Sequence, residues 1–120
     1  MRKIVFVVSL LATASANAST MLLWSCNLLE GHTIEEVKTI NSAWVKAVNE
    51  LSEYKVESFV LKSIASSDMA AFRYIDVFEN PIHWGQIRSK MEGGALDAFE
   101  EQFNEASKCG EASLYEASES

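Results

Sequence analysis

The sequence predicts an α+β domain in which a four-stranded antiparallel sheet carries its helices on one face. Three observations lead there. Apolar residues alternate in four separate stretches, they recur at steps of three and four between those stretches, and the order is strand, helix, strand, strand, broken helix, strand. A segment of another kind comes first. Arg2 and Lys3 make a basic start, Ile4 to Ala12 an apolar run, and Ala16-Asn17-Ala18 a small-residue ending, the layout of a signal peptide cut after Ala18. The run is nine residues, short of the roughly 20 that span a bilayer. The expected division is therefore residues 1–18 as signal peptide and 19–120 as a single domain, secreted or periplasmic and off the membrane after cleavage.

Met21 to Leu28 reads as the first strand, with Leu22, Trp24, Cys26 and Leu28 on one side and Met21, Leu23, Ser25 and Asn27 on the other. Thr33-Ile34-Glu35-Glu36 is a capping box that opens a helix. Ile34, Val37, Ile40, Trp44, Val48 and Leu51 continue it as one apolar stripe. Val56 to Ala65 and Met69 to Phe78 are β-branched and aromatic, and Ser66-Ser67-Asp68 between them is turn chemistry, so the pair reads as a hairpin. Asn80-Pro81 starts the next helix, because Asn caps and Pro suits the first helical position. Gly93-Gly94 breaks it, and Leu96, Phe99, Phe103 and Ala106 resume the stripe. Lys108 suits a helix C-terminus and Gly110 a helix stop. Glu111 to Ala117 alternates weakly and reads as a final edge strand.

This order matches the split βαβ, ferredoxin-like plan, whose sheet runs fourth, first, third, second. The last strand then lies antiparallel beside the first and brings Cys26 to Cys109, the only two cysteines. An exported protein can keep that disulfide. The rival reading of Cys26 as a lipid-attachment site fares worse, since Trp24 is bulky where such sites want small residues.

Cleavage leaves eight basic and seventeen acidic residues. That balance disfavours nucleic acid, whose binding depends on Lys and Arg neutralising phosphates, and it repels anionic membranes. The sequence contains no phosphate cradle, nucleophile elbow or metal-ligand spacing, and no cofactor or metal is expected. The carboxylate pairs Glu35/Glu36 and Glu100/Glu101 fall on solvent faces of helices. His32, in a turn, reads as a surface residue. The candidate polar set is Asn27, Tyr74, Asp76 and His83. Asp76 shares a strand face with Phe72 and Tyr74, and a cavity there would raise its pKa. Glu79, four residues before His83, could orient that histidine. Convergence of the set on one pocket would favour an enzyme, whereas scattered positions would favour a binding module.

Asn27-Leu28-Leu29-Glu30-Gly31-His32-Thr33 and Phe78-Glu79-Asn80-Pro81 both lead from strand into helix. With the element order, they make the chain resemble the dimeric α/β-barrel superfamily from about Leu22 to Ala117. The resemblance implies two sheets packed face to face, as well as relatives that include antibiotic-biosynthesis-type monooxygenases and haem-degrading enzymes. The haem-degrading branch has an Asn in the first strand, which Asn27 could match. It also has a Trp where this chain has Phe78, and a His in a helix that around Arg88 has none. Both sheet faces here are apolar, as Trp24 against Leu23, Phe59 against Val60 and Tyr74 against Ile75 show, and a homodimer would cover the second one. A charge at Val60 is expected to break it. Three functions follow: a non-catalytic small-molecule-binding or structural module, a cofactor-independent monooxygenase-like enzyme, or an acidic protein-interaction module.

Overall fold

The computed structural model describes residues 18–120. Of the expected signal segment only Ala18 falls within them, as the first residue of β1; the rest of that expectation lies outside. The order is β1 (Ala18–Leu28), α1 (Ile34–Leu51), β2 (Glu57–Lys62), β3 (Ala71–Phe78), α2 (Pro81–Glu92), α3 (Asp97–Ala106) and β4 (Ser107–Ser118). The sheet runs β2-β3-β1-β4 and every neighbouring pair is antiparallel. This is the ferredoxin-like α+β architecture that the periodicity predicts.

Local chemistry accounts for the element ends. Thr33 caps α1 by accepting the Glu36 N–H at 3.2 Å. The capping box is only half made, because the Glu36 carboxylate pairs with His32 Nδ1 at 2.9 Å instead. Asn80 caps α2 by accepting the His83 N–H at 2.8 Å, with Pro81 at the first helical position. Gly94, at φ 93°, adopts the left-handed conformation that separates α2 from α3. Val56, wholly buried ahead of β2, has both backbone groups bound by one side chain: Asn49 Oδ1 accepts its N–H at 2.7 Å and Asn49 Nδ2 donates to its carbonyl at 3.0 Å. Buried backbone polar groups need such partners.

Four boundaries differ from expectation by more than one residue, the first being β1, which begins at Ala18 rather than Met21. β2 ends at Lys62 and β3 begins at Ala71, so Ile64 and Met69 are exposed loop residues rather than strand residues. That loop is closed by its own polar groups: Ser63 Oγ donates to the Ala71 carbonyl, and Asp68 accepts the Ala70 N–H. β4 begins at Ser107, so Lys108 and Gly110 are strand residues and not a helix end and stop. The pairing of Ser107 with Leu28 and Lys108 with Asn27 extends the strand to the end of α3.

Cys26 and Cys109 face each other across β1 and β4, joined at 2.01 Å between sulfurs and 3.9 Å between Cα atoms. A bulge lies beside them. Trp24 pairs with Ala112 but Cys26 with Cys109, so β4 spends one residue more than β1 over that step. The extra residue reverses which side chains of β4 face the helices, and it turns Cys109 to the core side with Cys26.

The helices cover one sheet face. Leu22, Trp24, Cys26, Val60, Phe72, Tyr74 and Phe78 point into it and pack on Val37, Ile40, Trp44, Val48, Ile87 and Leu96. Val60 thus belongs to the core face, and the charge test expected at Val60 would damage the interior. The outer face carries Phe59, Ile75 and Leu23 in one cross-strand row, with Val77, Met21 and Tyr115 in the next. Phe59, Leu61 and Tyr115 are about half exposed on that face.

Candidate functional site

The core is built as two clusters, one around Cys26, Val37, Phe72 and Tyr74 and the other around Trp44, Val48, Phe78 and Ile87. At the seam between them lies a cavity of about 170 Å³. Trp24 and Tyr74 line it from the sheet, Trp44 from α1, Met91 from α2 and Phe103 from α3. Glu100 and Asn104, both exposed and one turn apart on α3, form its rim. Edge-on contacts at 5.2 Å with Phe72 and Phe103 hold the Tyr74 ring in place.

Asp76 reaches this cavity because alternation on β3 puts it on the same face as Phe72, Tyr74 and Phe78. It is 8 % exposed. A relay supports one of its oxygens: Asn41 Nδ2 donates to Ser58 Oγ at 2.9 Å, and Ser58 Oγ donates to Asp76 Oδ1 at 2.6 Å. Burial pushes the Asp76 carboxyl up to about 6, against the Ser58 hydrogen bond, which pulls it down. No basic side chain pairs with it among the described residues. Burial also drives the Tyr74 phenol well above its ordinary range, the nearby Ser107 hydroxyl opposing and the Asp76 charge adding. Ser107 donates to the Phe103 carbonyl at 2.8 Å, and the Tyr74 hydroxyl is left buried without a hydrogen-bond partner. Glu100 is raised as well, first by burial and then by Asp97.

Asp76 makes stability depend on pH in an unusual direction. Its folded pKa lies above the unfolded one, so between about pH 4 and 6 the folded state holds the extra proton and stability falls as pH rises. Above pH 6 the buried charge costs up to about 3 kcal/mol. Asp76→Asn should therefore raise the denaturation midpoint at pH 7.5 and leave it little changed at pH 4; chemical denaturation at the two pH values checks this. Equal midpoints for both proteins at pH 7.5 would mean that the carboxylate is well solvated.

Of the four polar residues singled out in the sequence, Tyr74 and Asp76 meet at the cavity, and Asn27 and His83 lie elsewhere. Asn27 is on the outer face, where its Nδ2 donates to Asp68 Oδ2 at 2.8 Å and ties β1 to the β2–β3 loop. It does not line the cavity. His83 is buried at the start of α2 and borders a separate groove with Leu51, Ser52 and Gln86. Its Nδ1 accepts the Glu79 N–H at 3.0 Å, which leaves the proton on Nε2, 2.6 Å from Ser52 Oγ. Ser52 in turn donates to the Tyr54 carbonyl. Burial lowers the His83 pKa, while Glu79 and Glu53 oppose. This is a neutral, doubly bonded histidine that completes a helix cap and has no free lone pair for base catalysis.

The sequence reading missed Asn41, Ser58, Glu100 and Asn104. Asn41 carried a signal: it falls four residues after Val37 and three before Trp44, inside the apolar stripe. An Asn there has to find a buried partner.

No protein-family model matches the sequence, and no curated protein does. The fold does have solved counterparts. The crystal structure of SnoaB, a cofactor-independent oxygenase from Streptomyces nogalater, matches at a TM-score of 0.62 and 12 % identity, over 88 % of this chain and 97 % of that one. A solution structure of a hypothetical Arabidopsis thaliana protein matches at a TM-score of 0.49 and 11 % identity, over 88 % and 89 %. The first likeness establishes the ferredoxin-like fold, and at that identity it is a likeness of fold alone.

Proposed function

We propose that this protein is a secreted or periplasmic module that binds a small organic molecule between its sheet and its helices, and that it does so as a homodimer. The observation that carries the binding reading is the cavity at the core seam, walled by Trp24, Trp44, Tyr74 and Phe103 and holding the unpaired Asp76 carboxylate. Concave apolar sites with a few convergent polar groups are the usual form of a ligand site. Its size is near that of a cavity of about 150 Å³ that takes up benzene. The scatter of Asn27 and His83 favours binding over catalysis.

Export is supported by the disulfide and by the basic and apolar start of the sequence. Among the described residues no helix is long and apolar enough to cross a membrane. Cleavage after Ala18 would remove only the first pair of β1, Ala18 with Ser118. The dimer is supported by the apolar outer sheet face.

Native mass spectrometry of protein purified from its source tests the whole reading. The expected species is a dimer of chains beginning at Ser19, each with one disulfide and a small-molecule adduct. A ligand-free monomer would count against both binding and assembly.

A second reading, a cofactor-independent oxygenase, rests on Asp76. A carboxylate pushed up to about 6 in an aromatic cavity can take a proton from a bound phenol, a ring carbon of which then bonds to dioxygen; loss of water from that hydroperoxide leaves a quinone, with one atom of the dioxygen in each product. Oxygen uptake with hydroquinone that depends on Asp76 would favour it; uptake equal in Asp76→Asn would remove it.

A further inference from the structure

Resting on the small-molecule-binding reading above, we infer that the cavity selects an organic cation, a protonated amine on a small apolar body. The argument begins with what lines the space. Four aromatic rings, from Trp24, Trp44, Tyr74 and Phe103, surround it. Its charged lining groups are Asp76 and Glu100, both carboxylates, and no Lys, Arg or His lines it among the described residues. Aromatic faces attract cations, Trp most strongly, and the attraction grows when the cation leaves water. An anion entering here would meet like charge in a poorly screened site.

A second, independent observation points the same way. Asp76 is 8 % exposed, yet its charge has no partner among the described residues. No Lys, Arg or His among them reaches its carboxylate. Buried ionised groups are ordinarily paired. The relay from Asn41 through Ser58 engages Oδ1 alone, so a bound ammonium would supply the missing counter-charge. Asn104 at the rim adds an uncharged amide. The net charge of the whole chain, −7, draws cations toward the surface from a distance. A cavity of 170 Å³ suits one ring with a short aminoalkyl arm and is too small for a polycyclic ligand.

The titratable groups around Asp76 are Tyr74 beside it on β3 and Glu100 on α3; α1 and β2 present the uncharged Asn41 and Ser58. Acid therefore weakens cation binding through the carboxylates.

The test compares benzylamine, benzyl alcohol and benzoate, which share one ring and differ in charge. Full-length mature protein is titrated at pH 7.5, following tryptophan fluorescence and the side-chain amide NMR signals of Asn41 and Asn104. Benzylamine is expected to bind at least tenfold more tightly than benzyl alcohol, and benzoate not to bind. That preference should shrink severalfold at pH 5 and largely vanish in Asp76→Asn. Glu100→Gln, an exposed change that leaves the core intact, should reduce it by a smaller factor. If benzyl alcohol binds as tightly as benzylamine, the cation inference is overturned and the cavity reading survives. If none of the three binds, both fall.

Discussion

Replacing Cys26 and Cys109 with alanine is expected to remove about 4.5 kcal/mol of stability. The bond links residues 83 apart in sequence, and closing a loop of that length restricts the unfolded chain by about that amount on the chain-entropy model. Native stability for domains of this class is about 5–15 kcal/mol, so the reduced protein should be marginal. Its thermal midpoint should fall by roughly 20–30 °C. Differential scanning calorimetry of the double variant, or of wild type with and without reductant, checks this. A drop of less than about 5 °C would mean that the sheet holds β4 without the tie. Burial argues against that outcome, since of the β4 side chains only Ser107 is fully buried.

The second large effect concerns neighbours on β2 that point opposite ways. Phe59→Glu puts a charge on the outer face, in the row with Ile75 and Leu23. The Phe59 ring is half exposed in the single chain, so the fold should tolerate the change while the proposed dimer cannot. Light scattering after size exclusion should give a dimer for wild type and a monomer of unchanged circular dichroism for the variant. The wild-type thermal midpoint should rise with protein concentration, and that of the variant should not. Val60→Glu should behave in the contrary way. Val60 is partly buried against the cluster of Tyr74 and Phe72, and a charge there loses solvation without gaining a partner, so that variant should be destabilised. A monomeric wild type would refute the proposed assembly.

Those two neighbours show how far the sequence could be read. Alternation split β2 and β3 correctly into two faces, because period two is set by backbone geometry. Which face met the helices was not legible at Val60, since Phe59 and Val60 are both apolar and either could be core. At Asp76 it was legible, because Phe72, Tyr74 and Phe78 share its parity and together outweigh Ile75 and Val77. The strand order followed from the element order, and the cysteine pairing agreed with it. The start of β4 was hidden because Lys108 and Gly110 carry helix-end chemistry, and their pairing with β1 prevailed over local preference. The cavity itself depends on how α1 and α3 rotate against the sheet. Tertiary packing sets that rotation, so Glu100 and Asn104 read as solvent-facing while Asn41 gave the one sign of a buried polar partner.

The one-residue offset in β4 divides that strand into two lengths whose alignment has different sources. From Ser107 to Cys109 the alignment is covalent: once the sulfurs join, antiparallel geometry dictates the pairs Asn27 with Lys108 and Leu28 with Ser107. Beyond the offset, from Ala112 to Ser118, no covalent cross-link transmits that alignment. It is chosen by side chains alone, chiefly Leu114 against Leu22 and Tyr115 against Met21, and both β4 residues are about half exposed. Alignment set by so little buried surface is prone to slip. The far half of β4 should thus open without the rest of the sheet, its amide hydrogens exchanging at rates near those of a frayed end while those beside Cys109 exchange only when the whole domain unfolds. Where two copies meet across the outer face, Tyr115 would be covered and that exchange would slow, making the far half of β4 a local reporter of assembly.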